Sequence, residues 1–488
     1  MKYDVIIIGS GLGGLVCGYV LTRMGRRVVI LEQDAQVGGC LQCYRRNGTV
    51  YDTGFHYVGG LDGDGALGRV FRRLNLLNLP WKQLDRNGFD RVILGRQSYA
   101  LHNGYNSFAE SLASLFPSDS DALKQYMHLL SETDEHQLDF LNPGADPCRT
   151  PVDLMDIGAY DYLTDTFHSK TLINLLSAAS TRLELRRETL PLFTFVHVMS
   201  SYVRSSWRLV GGGSLIAKSL CNDILQGGGT IVTNSRVNHI SADGKDAVVT
   251  TEDGRQWEGW TVISDLHPAR TLELLESKAI KKIYRRRIER LENTCGMVTV
   301  SLQLKPRTTP YFNCNYFVYR SDDVWNLSGA SIPQGVMVSA QVPEKGRFTK
   351  QVDLITPVDW NAVERWEGTG VGNRGEEYEG QKRLWARQCM ELAERVLPDL
   401  RHHVEKCWVS TPLTWLDYTS SPQGSAFGVR KDWHQPFLTM LSTRTPVNNV
   451  RLTGQSLKVH GIEGVTMTAL ETCAGIVGKD DLWQWLNR

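Results

Sequence analysis

The sequence lacks a membrane-spanning segment: no stretch approaches the roughly 18–20 uninterrupted apolar residues that a bilayer requires. It lacks an excess of either charge. Lys+Arg is 54 against 53 Asp+Glu, a net charge of +1, so there is no electrostatic basis for a nucleic-acid partner. It is not cysteine-dense, with ten cysteines in 488 residues. No charged segment followed by an apolar one marks a secretory signal near Met1. The thiols therefore read as reduced, in a cytoplasmic protein. No internal repeat and no low-complexity tract occurs. No His/Cys cluster has zinc spacing, so no metal is expected, and no Gly-x-Ser-x-Gly elbow supports a serine hydrolase. What remains is a globular composition, 41% hydrophobic and 22% charged. The length exceeds what one compact core usually organises, so at least two domains are expected. Glycine is in excess, at 45 residues.

The glycines punctuate a readable pattern. Val5–Ile8 is a short β-branched run, Leu12–Met24 a helix and Arg27–Leu31 a second buried strand, which together make a βαβ unit. Residues 105–205 read mostly as helix, broken at Asn142–Pro147. Gly211–Gly213 precede a helix from Leu215 to Gln226, and a meander of short strands follows to Ile263. The last segment is a strand at Val450–Thr453 and a helix from about Gly464 to Val477. This order predicts an α/β fold: a discontinuous, Rossmann-like nucleotide domain of three segments, 1–100, 208–275 and 440–488. A mixed α+β substrate domain would be inserted as 101–207 and 276–439.

Gly9-Ser10-Gly11-Leu12-Gly13-Gly14 matches G-x-G-x-x-G directly between a strand and a helix. Gly9 permits the tight turn, Gly11 lets a diphosphate approach the backbone, and Gly14 lets helix and strand pack closely. Ser10 and Gly13 lie in the same turn. The helix N-terminus supplies free N–H groups and a positive dipole end. Glu32 ends the second strand, where a carboxylate can accept ribose hydroxyls, and Gln33 follows it. An acid there disfavours a 2′-phosphate at this site. Gly38 and Gly39 allow a second close backbone approach.

The run Glu32-x5-Gly38-Gly39 resembles the extended fingerprint of FAD-dependent amine oxidases and carotenoid desaturases, which implies FAD. Gly38–Cys43, Tyr51–Gly59 and Leu452–Ala469 resemble the retinol saturase branch of the phytoene desaturase and carotenoid isomerase superfamily. Val210–Leu215 and Val262–Pro268 are similar to two further landmarks of that superfamily, so the resemblance spans the chain. It implies that the backbone at Val237 holds the adenine. Gly454 and Gln455 would lie by the ribityl and diphosphate portion. Gly464, Val465 and Thr466 would begin the last helix, its N-terminus aimed at the flavin. Relatives often carry an acid at the position of Gln455; a neutral amide can still hydrogen-bond there.

Candidate catalytic residues are His56, Tyr57 and His460. His56 could donate a proton or orient substrate, because an ordinary imidazole titrates near neutrality. Tyr57 fits a wall better than an acid, and His460 could contact flavin or substrate. Cys40-x-x-Cys43 has redox-motif spacing but not a thioredoxin-like position. Leu192–Met199 is apolar on all sides and reads either as core or as a tunnel wall for a long apolar substrate. A helix expected from Ser277 to Asn293 carries Ile280, Tyr284, Ile288 and Leu291 on one face among seven Lys and Arg residues, a candidate surface for peripheral membrane association.

The resemblance implies an FAD-dependent oxidoreductase acting on carbon–carbon double bonds of a polyene or long apolar lipid, by hydride transfer from flavin N5. A carotenoid desaturase or isomerase, a flavin amine oxidase and a non-catalytic flavin-bound lipid carrier are the alternatives. No second dinucleotide fingerprint appears, so the electron donor is left unassigned.

Overall fold

The computed structural model describes residues 2–145 and 154–488. Two large sheets organise them. The first has eight strands. Its centre is Lys2–Ile8, paired in parallel with Val28–Leu31 on one side and Gln256–Ser264 on the other. Thr230–Val232 extends the first side, and Val450–Leu452 pairs in parallel with Gln256–Ser264. The β-branched run Val5–Ile8 is buried on both faces, which is why it reads as continuous rather than alternating. Helices Leu12–Arg23, Ser214–Gln226 and Gly461–Val477 share one apolar cluster on a face of this sheet. The antiparallel strands Val237–Ala242 and Ala247–Thr251, with the short Leu275–Glu276 paired in parallel to the former, complete it.

The second sheet has seven strands, in the order Val404–Ser410, Gly296–Leu304, Gln351–Val358, Gly335–Ala340, Asn315–Tyr319, Asp90–Leu94 and Gln97–Leu101. One face carries helices Tyr105–Ala113, Ser120–Glu135, Ala159–Thr166, Lys170–Leu176 and Leu192–Arg204. The other face packs on helix Glu376–Ala393. A three-stranded sheet of Val58–Gly59, Ser206–Leu209 and Trp81–Gln83 lies at the passages between the two parts of the chain.

Three expectations change, and the two readings of Leu192–Met199 are resolved. Asp90–Leu94 and Gln97–Leu101 belong to the second sheet, so the first nucleotide-domain segment does not run to residue 100. The decisive pairing, of Asn315–Tyr319 with Asp90–Leu94, joins residues over 200 positions apart and has no local signature. Leu192–Met199 is core: of these residues His197 alone is not buried, and none lines the cavity described below. The basic helix is shorter than expected, Lys282–Glu289, and Ile288 is buried against the first sheet with Ile280, Tyr284 and Leu291 partly buried beside it. Its apolar face is thus already covered. Finally, the helix expected from Gly464 begins at Gly461, about a turn earlier, and a further helix, Lys479–Leu486, follows it. The expected break at Asn142–Pro147 is a turn through Ala145; Asp146 and Pro147 lie outside the described residues.

Candidate active site

A cavity of about 560 Å³ starts at the carboxyl ends of the central parallel strands, where open α/β sheets usually bind ligands. Gly9 holds a φ of +94°, which favours glycine. A Cβ on Gly14 would sit 2.2 Å from the Gly9 carbonyl oxygen, so helix and strand approach as closely as the fingerprint requires. Gly11 caps helix Leu12–Arg23 with no side-chain hydrogen bond, leaving the first amides for a ligand. Glu32 is buried and accepts the Ser10 backbone N–H at 2.9 Å. The Gly38 N–H reaches the Ser10 hydroxyl oxygen at 3.1 Å, which ties the second glycine pair to the first. Bare backbone for a diphosphate, and a carboxylate for a ribose, together fit a dinucleotide.

Asp265 is a residue the sequence reading did not single out, although it lies within the Val262–Pro268 landmark. It follows the strand Gln256–Ser264 and lies against Gly11, Gly13 and Gly454; a Cβ on any of them would come within 2.7 Å of its carboxylate oxygens. Burial raises its carboxyl to about 7, against a lowering contribution from the Gly14 N–H. A proton on Asp265 therefore relieves repulsion of any diphosphate beside it.

Beyond the cradle the same cavity is lined by His56, Tyr57, Thr181, Arg182, Tyr202, Met337, Phe427, His460 and Ile462. Arg182 is buried and forms an ion pair with buried Asp90, while its Nε donates to the Tyr57 hydroxyl at 2.5 Å. The Tyr57 hydroxyl in turn lies 3.3 Å from Asp90 Oδ2, to which it donates. Its phenol is pushed well up by burial and stays protonated. With both directions of hydrogen bonding used, Tyr57 is a positioned wall. His460 Nε2 lies 2.7 Å from the Arg182 carbonyl, and its ring packs 4.4 Å from the Phe427 ring. His56 makes no hydrogen bond to a described side chain or backbone group. Burial pushes both imidazoles down to about 4, with Arg208 adding to the effect at His56. At neutral pH both are uncharged, so His56 is not the near-neutral acid expected from its residue type; it offers a neutral N–H or lone pair instead.

Of the expected cofactor residues, Gly9, Ser10, Gly11, Gly13, Glu32, Gln33, Gly38, Gly39, Val237, Gly454, Gln455 and Val465 line this cavity. Gly14, Gly464 and Thr466 do not. Gly14 and Gly464 permit close packing behind it, and the Thr466 hydroxyl donates to the Ile462 carbonyl at 2.7 Å. Gly461 and Ile462, in the true first turn, take the place expected of Gly464 and Thr466. Lys431 was also missed. It is buried and donates to the carbonyls of Thr439, Ser456 and Leu457 at 2.7–3.0 Å, holding the loop before helix Gly461–Val477. Burial lowers its amine to about 7. Cys40 and Cys43 are free thiols raised to about 12 mainly by burial, which opposes thiolate chemistry.

Residues 12–293 match the family model described as flavin containing amine oxidoreductase. The chain belongs to this family. It is an FAD-dependent oxidoreductase, and the glycine cradle is the part that fits the cofactor. An all-trans-retinol 13,14-reductase of Danio rerio is 24% identical, covering 97% of this chain and 86% of that protein. A prolycopene isomerase of an Oncidium hybrid cultivar is 23% identical over 98% of this chain and 84% of its own. Among solved structures, a putrescine oxidase bound to putrescine superposes with a TM-score of 0.66 at 16% identity, covering 98% of this chain and 99% of that one. That likeness shows the shared fold.

Proposed function

We propose that this flavoenzyme acts on carbon–carbon double bonds of a polyene or another long apolar lipid, in the saturating direction. The observation that carries the substrate class, as against an amine, is the absence of a carboxylate from the chamber beyond the cradle, among the described residues; the saturating direction rests on the similarity to a retinol reductase. The cavity's lining acids, Glu32, Asp34, Asp265 and Glu273, are all on or beside the first sheet. The one charged side chain named in the chamber wall, Arg182, is already paired with Asp90, so the wall presents no free anion to a protonated amine and tolerates a neutral chain. The full-length similarity to a retinol reductase and to a carotenoid isomerase supports the same substrate class.

Bound FAD supplies hydride transfer to or from carbon. The protein's own part is orientation and exclusion of water. Tyr57, fixed by Arg182 and Asp90, and Phe427, packed against His460, would hold an apolar chain in place. Val237 and Gln455 would contact the adenine and ribityl portions. His56 is the polar group left to meet a substrate hydroxyl or the developing charge. The test is anaerobic incubation of the dithionite-reduced holoenzyme with retinol and with carotenoids, followed by chromatography and mass measurement. Product heavier by two hydrogens is expected. Altered double-bond geometry at constant mass would replace the saturase reading with an isomerase. Binding with no product would replace it with a carrier, and turnover of amines alone would restore the amine oxidase.

Membrane association finds support at a different place from the helix face first expected. Ile283 is 74% exposed, and Phe437 and Leu438 are 79% and 41% exposed. The Arg287 guanidinium donates to the Phe437 carbonyl at 2.7 Å, which puts this apolar tip beside the basic helix. An apolar tip within a cationic field suits an anionic bilayer. Flotation with phosphatidylserine vesicles should fall on changing Ile283 and Phe437 to Asp; unchanged flotation would remove the membrane from this reading.

A further inference from the structure

A second, larger cleft of about 1550 Å³ opens beside the flavin cavity. It runs between the hairpin Cys43–Arg46/Thr49–Asp52, the start of helix Ser214–Gln226 and the edge strand Val404–Ser410 of the second sheet. Its volume exceeds the roughly 300–1,000 Å³ of sites for drug-sized ligands. Arg45, Arg46, Lys218, Lys345 and Lys350 line it and form no ion pair with any described residue. Three more cations there are neutralised, Arg374 by Asp417, Lys382 by Glu379 and Arg383 by Glu376. Glu344 subtracts one charge. A chain with a net charge of +1 thus concentrates uncompensated positive charge in one concave place.

Charge is joined by aromatic surface. Tyr44, Trp408, Trp415 and Tyr418 line the cleft. Trp415 and Tyr418 also line the flavin cavity, as do Gly39 and Gln42, so the two spaces adjoin along these residues. Trp415 is packed on the backbone there: a Cβ on Gly54 would lie 2.7 Å from its ring.

We propose that this cleft binds a phosphorylated dinucleotide of the nicotinamide type, the phosphates on the unpaired cations and a ring against the aromatic wall. The proposal rests on the double-bond-saturating reading above. Saturating one double bond takes up two electrons and two protons. A reduced nicotinamide that reaches bound FAD where the two spaces adjoin would supply a hydride to the flavin, solvent would supply the second proton, and oxidised nicotinamide would be left. The cleft is distinct from the Gly9–Gly14 cradle, which explains how a donor could be bound without a second fingerprint motif.

The test is calorimetric titration of the FAD-loaded protein with NADPH, with inorganic pyrophosphate in parallel. One NADPH per chain is expected, bound about tenfold or more tightly than pyrophosphate. The charge reversal Lys345→Glu/Lys350→Glu should weaken it by about tenfold or more while FAD content stays unchanged. Arg45→Glu/Arg46→Glu, on the hairpin, should do the same and guards against misfolding of the first variant. No binding at millimolar NADPH, equal binding of pyrophosphate, or affinity indifferent to both reversals would overturn the site. FAD-loaded protein that reduces retinol with dithionite yet ignores NADPH defeats this proposal alone. Failure with dithionite defeats the saturase reading, whatever NADPH does.

Discussion

The cofactor cradle and the substrate chamber share one cavity but are built in opposite ways. The cradle is main chain: glycines, helix amides and one carboxylate, delivered by short segments at the ends of parallel strands. The chamber is side chain: Tyr57, Arg182, Tyr202, Met337, Phe427 and His460 come from six separate places along the sequence. A backbone site leaves a motif, because only glycine satisfies its geometry. A side-chain site leaves none, because many residue types can fill a wall. The cradle should therefore fail by steric exclusion, and the chamber by loss of stability or rate.

The largest effect should come from the cradle. Gly14→Val drives a side chain into the Gly9 carbonyl 2.2 Å from its Cβ, so the purified protein should lose its flavin absorption almost entirely. Retention of stoichiometric FAD would show that the cradle tolerates side chains after all. Next comes the chamber wall. Arg182→Met leaves the Asp90 carboxylate buried without its cation and should cost about 3–5 kcal/mol in denaturant unfolding. Adding Asp90→Asn should recover part of that loss; an unchanged midpoint in Arg182→Met would mean the pair does not hold the wall.

A smaller effect is expected at His56. His56→Ala should lower kcat by about tenfold with FAD content intact, the equivalent of one lost hydrogen bond of ~1.4 kcal/mol. Because burial holds this imidazole near 4, the rate should show no ionisation limb near 6.5 that vanishes in the variant. Such a limb would return His56 to the role of proton donor. The smallest effect concerns Asp265. Its folded-state carboxyl is raised to about 7, so the folded protein keeps a proton that the unfolded chain releases at lower pH. That contribution is fully present below the unfolded value of 3.8 and is lost as pH rises towards 7. Asp265→Asn should match the parent in thermal stability near pH 4 and exceed it at pH 8; equal curves at both would place the carboxylate in contact with solvent.

The sequence was legible where structure is local. The strand Lys2–Ile8, the glycine turn, the helix behind it and Glu32 follow from hydrophobic period, turn chemistry and a spacing of about 20 residues. The strand meander from Val237 to Ser264 also showed, through alternation and tight turns. The assignment of Asp90–Leu101 was missed because its sheet is closed by a partner beyond residue 300. The apolar segment Leu192–Met199 could not be told from a tunnel wall, since burial in a core and burial around a ligand demand the same residues. Arg182 carries no local signal in the sequence, because its partner Asp90 lies in a distant segment. His56 kept its ordinary titration on paper; enclosure by protein removes it.

By itself, then, the sequence determined the nucleotide fold, the FAD cradle and its place at the strand ends, because glycine geometry and strand–helix order act over a few residues. The tertiary structure alone decided the charge state of the chamber, the covering of the basic helix and the position of the cationic cleft against the flavin wall. Those depend on which distant side chains share a low-dielectric space, and desolvation and ion pairing are properties of that space rather than of any segment.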